Sequence, residues 1–384
     1  MNSNRPLKIL VSIPTINRPE RLKLEGILAY AHEKRGDKWQ VKLDINTFIH
    51  HRQRPIPKDT DGIIAYVESE DQRQKLVNSG IPTVLLEDML DPKAFPLSAR
   101  VVTLLCDHEA EGRAAAEYFL SRHFQHFAWL GPKSETEWST SRRNGYVARL
   151  QKEGLSCTTF TGSDEAIPDL LRTLKRPCAL FAVHDFRARQ ALDAAEDIGI
   201  SVPSDLAILG VDDDTILCET ASPAISSLAT GDMRLGYAAG RILSQLISRS
   251  AKGGRVIRFA SHHVVTRRST DADAIPDLLV SDALRYARSH LNGKLDATRL
   301  ARQFNYSGHM LQLRAEKALG HSLGIEIRQM RLSAAEDLVS ETDLPIADIA
   351  EQCGFTSVSH LSLRFKEAYG KTPLVWRKFT SSSN

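Results

Sequence analysis

The hydrophobic period of the sequence changes once, near residue 270, and this change constrains the fold more than any other feature. Before it, short apolar runs alternate with amphipathic stretches such as 21–34, which predicts a helix. The runs that predict buried strands are 7–13, 61–67, 82–87, 100–105, 126–131, 178–183 and 206–211. Strands that alternate with helices are typical of parallel sheets in a doubly wound α/β fold. Because the strands are too many for one small sheet, we expect two lobes over residues 1–270.

Beyond residue 270 the pattern is that of a different domain. Residues 271–277, DADAIPD, are acidic and contain proline, which predicts a linker. From 278 to 378 there is no strand pattern, and helical spacing dominates. The helical segments are 278–291, 296–304, 324–339, 345–353 and 359–370. We therefore expect a separate all-α domain over 278–378, with helix-turn-helix units at about 296–317 and 345–367.

Composition agrees with a protein of two or three globular domains. The 384 residues are 42% hydrophobic and 25% charged, enough to bury cores without disulfides or structural metal. The five cysteines are dispersed and form no CxxC pair, which favours buried thiols. The sequence shows no signal-peptide pattern and no run of about 20 apolar residues. We expect a cytoplasmic protein that does not bind membranes.

Charge alone does not identify a partner. The formal net charge is +3, and residues 277–378 hold 14 Lys and Arg against 12 Asp and Glu. A domain that binds nucleic acid often carries a clear basic excess, which is missing here. Any argument for DNA binding must therefore depend on motifs.

The segment 345–378 carries the strongest local motif. Ile346 and Ile349 share one helix face, and Gly354 can adopt the positive φ that a helix-ending turn needs. Leu361 and Phe365, four residues apart, form the apolar face of a second helix. Two short helices joined by such a turn predict a helix-turn-helix, whose second helix lies in the major groove of DNA.

This segment closely resembles the signature of the AraC/XylS family. The matching residues are Ile346 to Ala350, Gly354–Phe355, Ser359, Phe365–Lys366, Gly370, Thr372–Pro373 and Trp376–Arg377, with Asp348 where Glu is usual. The family has a second, upstream unit and a connecting helix, which match 296–320 and 331–339. The upstream unit departs from the pattern, because Ala315–Glu316 replaces Phe-Lys and Leu313 stands where an Arg often contacts DNA.

The motif positions give candidate DNA-binding residues in both units. In the upstream unit they are His309, Met310 and Gln312. In the downstream unit we expect Val358, Ser359, His360 and Ser362 nearest to base edges, and Arg364 and Lys366 on phosphates. The alternatives are that Met310 and Leu313 only pack, and that the downstream face is merely solvated.

The first 270 residues resemble the sensor domain of the LacI/GalR family, which is related to periplasmic sugar-binding proteins. The motifs that carry the match, in order, are 107–120, 127–131, 198–214, 222–229, 234–243 and 264–270. The resemblance implies two Rossmann-like lobes of parallel sheet with a sugar site between them. Ligands of such folds bind beside the carboxyl ends of strands.

Candidate ligand-binding residues follow the strands. The resemblance assigns Asp212 as a sugar-binding carboxylate and Arg142 as a ligand-binding arginine. Further candidates are Trp138 as a stacking platform, His184 and Asp185 where Asn-Asp is common, Arg187, Arg189, and Arg21 from the other lobe. The alternatives are helix capping for Asp213 and Asp214, core packing for Trp138 and surface ion pairs for the arginines.

A LacI-type sensor placed ahead of an AraC-type module resembles the arrangement of xylose-responsive regulators. The resemblance implies D-xylose as effector, double-stranded DNA as target, transcription activation as output, and contact with RNA polymerase. A homodimer formed through the sensors is the expected assembly. Another pentose, a hexose, or repression instead of activation stays open, since His184 departs from the family pattern.

Catalysis and transport are the competing functions. Two acidic clusters, Asp107 with Glu109 and Glu111, and Asp212–Asp214, could bind a divalent metal. The first stands at a helix start, however, where acidic residues also suit the helix dipole. The sequence has no phosphate-binding P-loop, no GxSxG and no HExxH, and the pairs at 50–51 and 262–263 lack metal-spaced partners. We therefore predict no catalytic residue, no metal and no cofactor. A transport protein is disfavoured by the helix-turn-helix motif.

Overall fold

The computed structural model describes residues 5–33, 39–44, 55–67, 69–87, 98–260 and 262–382; the histidine pair at 50–51 lies outside them. The front region contains two six-stranded sheets, each the centre of one lobe. This confirms the two-lobed α/β prediction. No helix among the described residues is long and apolar enough to span a bilayer.

Lobe 1 is built around a wholly parallel sheet of order β11-β5-β4-β3-β1-β2. Its strands are β1 (Leu7–Ser12), β2 (Trp39–Leu43), β3 (Gly62–Tyr66), β4 (Thr83–Glu87), β5 (Val101–Cys106) and β11 (Arg255–Phe259). Its helices are α1 (Arg18–Glu33), α2 (Glu70–Asn78) and α8 (Asp232–Ile247). Aliphatic side chains of the central strands and of α8 form its core, so α8 is fixed to this lobe.

Lobe 2 has a sheet of order β12-β10-β9-β8-β6-β7, in which only the pairing of β10 with β12 is antiparallel. Its strands are β6 (His126–Leu130), β7 (Cys157–Phe160), β8 (Cys178–Ala182), β9 (Leu206–Val211), β10 (Ser226–Thr230) and β12 (His262–Val265). Its helices are α3 (His108–Leu120), α4 (Glu137–Gln151), α5 (Ile167–Thr173), α6 (Asp185–Asp197) and α7 (Thr215–Glu219).

The strands that the apolar runs did not reveal are β2, β7, β10, β11 and β12. Four of them are edge strands with few buried positions, so they lack a continuous apolar run. The fifth, β10, is an interior strand, but its buried positions include Ser226 and Ser227. Both hydroxyls are hydrogen-bonded within the protein, so they are buried without being apolar.

The chain passes between the lobes three times: after β5, after β10 and after β11. Each passage leaves the carboxyl end of a strand, so the loops that follow strands in both sheets face one another. A doubly wound fold binds its ligand at these loops. The fold therefore creates a cleft between the lobes.

The C-terminal region is helical throughout its described residues, as predicted. Its helices are α9 (Leu278–Ser289), α10 (Ala297–Gln303), α11 (Gly308–Leu319), α12 (Leu323–Glu341), α13 (Ile346–Gln352), α14 (Val358–Tyr369) and α15 (Pro373–Ser382). They enclose two small cores, one per helix-turn-helix unit. The long helix α12 supplies Leu323 and Ile327 to the first core and Ala335 and Val339 to the second.

The two units repeat the same turn and capping chemistry. The turn holds a residue with positive φ in each, Asn305 at 60° and Gly354 at 71°. The second helix of each unit then begins at a serine cap, with Ser307 accepting from the Met310 amide and Ser357 from the His360 amide. The recognition helices, α11 and α14, therefore start from equivalent structures.

Arg331 of α12 holds the two units together. Its guanidinium donates to the carbonyl oxygens of Leu291 (3.1 Å) and Gly293 (2.7 Å), in the loop that precedes α10. This loop lies directly on the turn of the second unit, because a Cβ built on Gly354 would be 2.1 Å from the Leu291 oxygen. The relative placement of the units thus depends on a close backbone approach.

We expect Gly354→Ala to destabilise the contact between the units by about 1–3 kcal/mol, since it combines left-handed strain with a backbone clash. Hydrogen exchange across residues 291–303 and 346–369 measures the loss of protection. Gly320→Ala is the matched control, because Gly320 has φ of 75° but no neighbour within 4 Å of a built Cβ. Equal effects of the two variants would contradict the close approach.

Candidate ligand cleft and nucleic-acid interface

A cleft of about 570 Å³ lies between the lobes. Lobe 1 contributes the start of α1 and the ends of β3 and β5, and lobe 2 contributes α3, α4 and the loops after β8 and β9. Its walls carry ionisable side chains together with exposed aromatic and aliphatic ones. This mixture suits a small polar molecule that has an apolar face.

Arg142, on α4, is buried at the base of the cleft in an ion pair with Glu111 of α3. Its Nη2 lies 2.6 Å from Glu111 Oε2, and its Nη1 donates to the Val183 carbonyl. His108 Nδ1 is 2.9 Å from the same carboxylate oxygen. Burial alone would raise the pKa of Glu111, but Arg142 and His108 outweigh it and hold this pKa well below its usual range. Arg142 therefore stays charged although it is buried.

Trp138 lies one helical turn before Arg142, and the Arg142 Cζ atom is 5.2 Å from its ring centre. The ring is half-buried and packs against the core of lobe 2, and it also lines the cleft. Packing and ligand stacking are therefore compatible for this residue. The stacking contact also limits the orientations that the arginine can adopt.

Asp212 projects its carboxylate from the loop after β9. Its backbone has φ of 98°, and its amide donates to the Leu228 carbonyl at 3.0 Å. Burial raises the pKa of Asp212 well above its usual value, against the attraction of Arg142. In the described part of the chain, no protein hydrogen bond to this carboxylate is seen. It is therefore an acceptor available to a molecule in the cleft.

His184 begins α6 as its cap, and its Nδ1 accepts from the Arg187 amide at 3.1 Å. Burial, followed by the charges of Arg142 and Arg187, lowers the pKa of His184 to about 4. The imidazole is neutral at pH 7. Because Nδ1 accepts, the proton is on Nε2, which is left as a donor.

Asp185 organises the loop that carries Asp212. Its Oδ1 accepts from the Ser227 hydroxyl at 2.6 Å and its Oδ2 from the Asp214 amide at 2.7 Å. Burial raises the pKa of Asp185 to about 7. Although Asp185 lines the cleft, both carboxylate oxygens are bonded to the protein, so it positions its neighbours. Asp214 itself caps α7.

Two of the candidate arginines do not face the cleft. Arg187 is 2% exposed and bonds to the carbonyls of Gly131 and Gly162, both at 2.9 Å, and to Asp164 at 2.7 Å. Arg189 pairs with Asp193 on the outer surface of α6. Sequence spacing could not distinguish these directions, because both residues lie within the first turns of one helix.

Arg21 does line the cleft, from lobe 1, and donates to the carbonyls of Thr15 and Ile16. It therefore stabilises the β1–α1 loop at the rim. Asp213 pairs with Arg267 at 2.7 Å, whereas the helix-capping alternative holds for Asp214, which is the cap of α7.

The cleft residues that the sequence analysis missed include Phe186, Lys23 and Asp232. Phe186 is 54% exposed on the wall beside Asp185, and its position directly after a strand-end pair could have identified it. Lys23 and Asp232 form an ion pair of 3.3 Å, with both side chains 4% exposed. They are distant in the sequence, and only the packing of α1 against α8 brings them together.

The recognition helix α14 presents a mixed surface. Leu361 and Phe365 are buried, as predicted, whereas Val358 is 41% exposed. Ser359 and Lys366 are exposed, and Ser362 is half-buried. Two further candidates already have protein partners: His360 lies 3.1 Å from the Thr356 hydroxyl, and Arg364 pairs with Glu367 at 2.8 Å.

The recognition helix α11 presents the equivalent surface of the first unit. Met310 is 46% and Leu313 53% exposed, so neither packs into the core of this unit. His309 is exposed, and Gln312 donates to Glu316 at 2.7 Å. Both helices thus expose short polar and apolar side chains, which can contact base edges, and few fixed cations.

The buried ion pair at the base of the cleft should be essential for the stability of lobe 2. Glu111→Gln leaves the Arg142 charge buried without its counter-ion, so we expect a loss of about 3 kcal/mol or more. Thermal unfolding of the full chain measures it. Glu109→Gln on the same helix removes an exposed partner of Arg113 and should be close to neutral. Equal melting temperatures for the two variants would contradict this account.

Comparison with known proteins finds a matching domain model for a segment of the sensor region and for most of the helical region. The model of a periplasmic binding protein-like domain matches residues 116–270, and that of a helix-turn-helix domain matches residues 300–378. The xylose operon regulatory protein of Escherichia coli (strain K12) is 26% identical over 334 residues, covering 84% of each chain. That of Haemophilus influenzae (strain Rd) is 25% identical over 371 residues, covering 93% of this chain and 95% of the relative.

A solved structure of a xylose-binding transcription activator shares the fold over 98% of this chain and 99% of its own, with a TM-score of 0.60 and 23% identity. The likeness therefore extends across sensor and helical module in the same order. The chain is a DNA-binding transcription regulator that combines a periplasmic binding protein-like domain with a C-terminal helix-turn-helix domain, and over most of its length it is similar to xylose operon regulatory proteins.

Proposed function

We propose that the chain binds a monosaccharide, D-xylose, in the interlobe cleft and thereby changes how its recognition helices bind operator DNA. The observation that carries the sugar half is the Asp212 carboxylate, which faces the cleft beside the buried charge of Arg142. The choice of D-xylose rests on the names of the relatives that match most of the chain.

The cleft supplies each kind of group that a sugar needs. Vicinal hydroxyls require acceptors and donors at fixed positions, and Asp212 and the Nε2 proton of His184 provide one of each. The exposed ring of Phe186 offers an apolar surface for the C–H face of a pyranose. Because His184 is neutral, it hydrogen-bonds without adding charge to the site, which suits an uncharged ligand.

Asp212→Asn tests the sugar site without disturbing the backbone, since Asn tolerates positive φ. Hydrogen bonds to a charged group contribute about 1.5–3 kcal/mol, so we expect the affinity for D-xylose to fall by about tenfold or more. Isothermal titration calorimetry measures it, and operator binding without sugar should be retained. Asp193→Asn, on the outer surface of lobe 2, is the control. Unchanged affinity in Asp212→Asn would refute the role of Asp212.

The raised pKa of Asp212 also predicts a pH dependence. A carboxylate accepts hydroxyl hydrogen bonds best when ionised, so the affinity of the wild type should fall as pH is lowered through this pKa, above the ordinary range near 4. Because the charge of Asp185 also raises the pKa of Asp212, the pH dependence that Asp212→Asn removes belongs to this coupled pair of carboxyl groups. Parallel pH profiles of wild type and Asp212→Asn would contradict the assignment.

The DNA half of the proposal assigns different roles along α14. Val358, Ser359, His360 and Ser362 lie on the outward surface near its start, where a recognition helix contacts bases. Lys366 is an exposed cation one to two turns further on, and it would contact a phosphate. His309, Met310 and Gln312 take the equivalent places on α11.

Two substitutions separate base contacts from phosphate contacts. We expect His360→Ala to reduce discrimination between the operator and single-base variants by about 1–3 kcal/mol at one position. Lys366→Ala should weaken binding to all sequences and lower the salt slope by about 1. Fluorescence anisotropy at several salt concentrations distinguishes them. A uniform loss in His360→Ala would place that residue on the phosphate backbone instead.

A footprint on the upstream DNA, with and without D-xylose, tests both halves together. Two protected sites that change with the sugar would support a homodimer of sensor-linked modules. A reporter assay then distinguishes activation through RNA polymerase from repression. Protection that responds to another pentose or to a hexose would replace D-xylose as the effector. No protection at low salt would overturn the proposal.

A further inference from the structure

The linker between sensor and helical module is packed on both sides. The Ala274 amide donates to the Arg122 carbonyl of lobe 2 at 2.9 Å, and Asp273 pairs with Arg288 of α9 at 2.6 Å. Ile275 is buried in the core of the first unit, and Asp277 caps α9. The first unit is therefore attached to lobe 2, because the linker residues contact lobe 2 on one side and the first unit on the other.

The start of α12 continues this attachment to lobe 2. Glu326 lies between two imidazoles, with Oε1 3.2 Å from His123 of lobe 2 and Oε2 2.7 Å from His321 of the module. Its side chain is 5% exposed, so the contact is shielded from solvent. The helix thus leaves the first unit with one end fixed on the α3–β6 loop.

The other end of α12 contacts lobe 1. Arg234, in the first turn of α8, donates through Nη1 and Nη2 to the Ser340 carbonyl at 3.1 and 3.2 Å. Carbonyls of a last helical turn have no partner within the helix and carry partial negative charge, so a guanidinium suits them. Arg377 of α15 donates to the neighbouring Val339 carbonyl, and Trp376 Nε1 donates to Ser340 Oγ at 3.0 Å.

Both lobes therefore hold one helix. Glu326 and Ser340 are separated by about 21 Å along α12, so the helix spans from lobe 2 to lobe 1. The lobe 1 contact is directly connected to the cleft, because Asp232, which lines the cleft, is two residues before Arg234 at the start of α8. The cleft residue Asp232 and the residue that contacts the module, Arg234, therefore lie within the same helical turn.

We propose that the contact of Arg234 with the Ser340 carbonyl is an interdomain latch that couples the angle between the lobes to the placement of the second recognition helix. The latch rests on the proposed function, since it requires that a sugar changes that angle. The module moves with lobe 2 through the linker and Glu326, so closure of the cleft displaces lobe 1 relative to Ser340. The C-terminus of α12 is bonded to α15 and packs in the core that also holds α14, so the second unit responds to whether the latch is made.

The test uses the full chain and the ratio of operator affinities with and without D-xylose. Allosteric coupling is commonly 5- to 150-fold, and in Arg234→Ala we expect this ratio to fall towards one while the sugar still binds by calorimetry. Arg234→Lys keeps one cationic donor and should restore part of the ratio. Arg241→Ala, an exposed arginine on the same helix, is the matched control and should behave as wild type.

Hydrogen exchange without sugar tests the contact itself: residues 338–342 should lose protection in Arg234→Ala but not in Arg241→Ala. If wild type and Arg234→Ala show the same change in operator affinity on adding the sugar, the latch is overturned and the proposed function is retained. A wild type whose operator affinity ignores D-xylose, other pentoses and hexoses would overturn the proposed function and the latch with it.

Discussion

The structure depends on the order in which the chain builds its two lobes. Lobe 1 is incomplete when the chain first leaves it, and it is finished only when α8 and β11 return after β10. Neither lobe is a contiguous segment, so three connections join the lobes. Because each connection leaves the carboxyl end of a strand, this topology also creates the cleft.

Within the cleft, desolvation sets the chemistry of the charged groups. Arg142 and Glu111 form a buried ion pair, so the Arg142 guanidinium can remain charged at the base of the cleft without an exposed partner. The same burial keeps His184 neutral and raises the pKa of Asp185 and Asp212. The cleft therefore combines a buried arginine that is paired within the protein with a carboxylate and a neutral hydrogen-bond donor, which are the groups that the proposed sugar ligand would use.

Helix α12 connects this chemistry to the DNA-binding surface. It belongs to both small cores of the module, which cannot separate without exposing apolar side chains on its length. Its two ends contact different lobes, so the helix that joins the two cores of the module also contacts both lobes of the sensor. In the proposed latch, this continuous helix would transmit a displacement at one end to α14.

Local features could be predicted from the order of the residues. Hydrophobic period separated the α/β region from the all-α region, and Gly354, Leu361 and Phe365 located a recognition helix, because these signals depend on backbone geometry within a few residues. The strand-end rule located Asp212 and His184 at the cleft wall. The search for apolar runs missed the edge strands, because these strands bury too few side chains to form such a run.

Tertiary structure alone decided which distant groups meet. No local pattern indicated that Glu111 would pair with Arg142, or that Arg187 would turn away from the cleft to bind two loop carbonyls. The contact of Arg234 with the end of α12 joins residues more than a hundred positions apart. Such pairings are set by helix packing and lobe topology, which determine the direction of a side chain, whereas spacing along the chain determines only its place on a helix or strand.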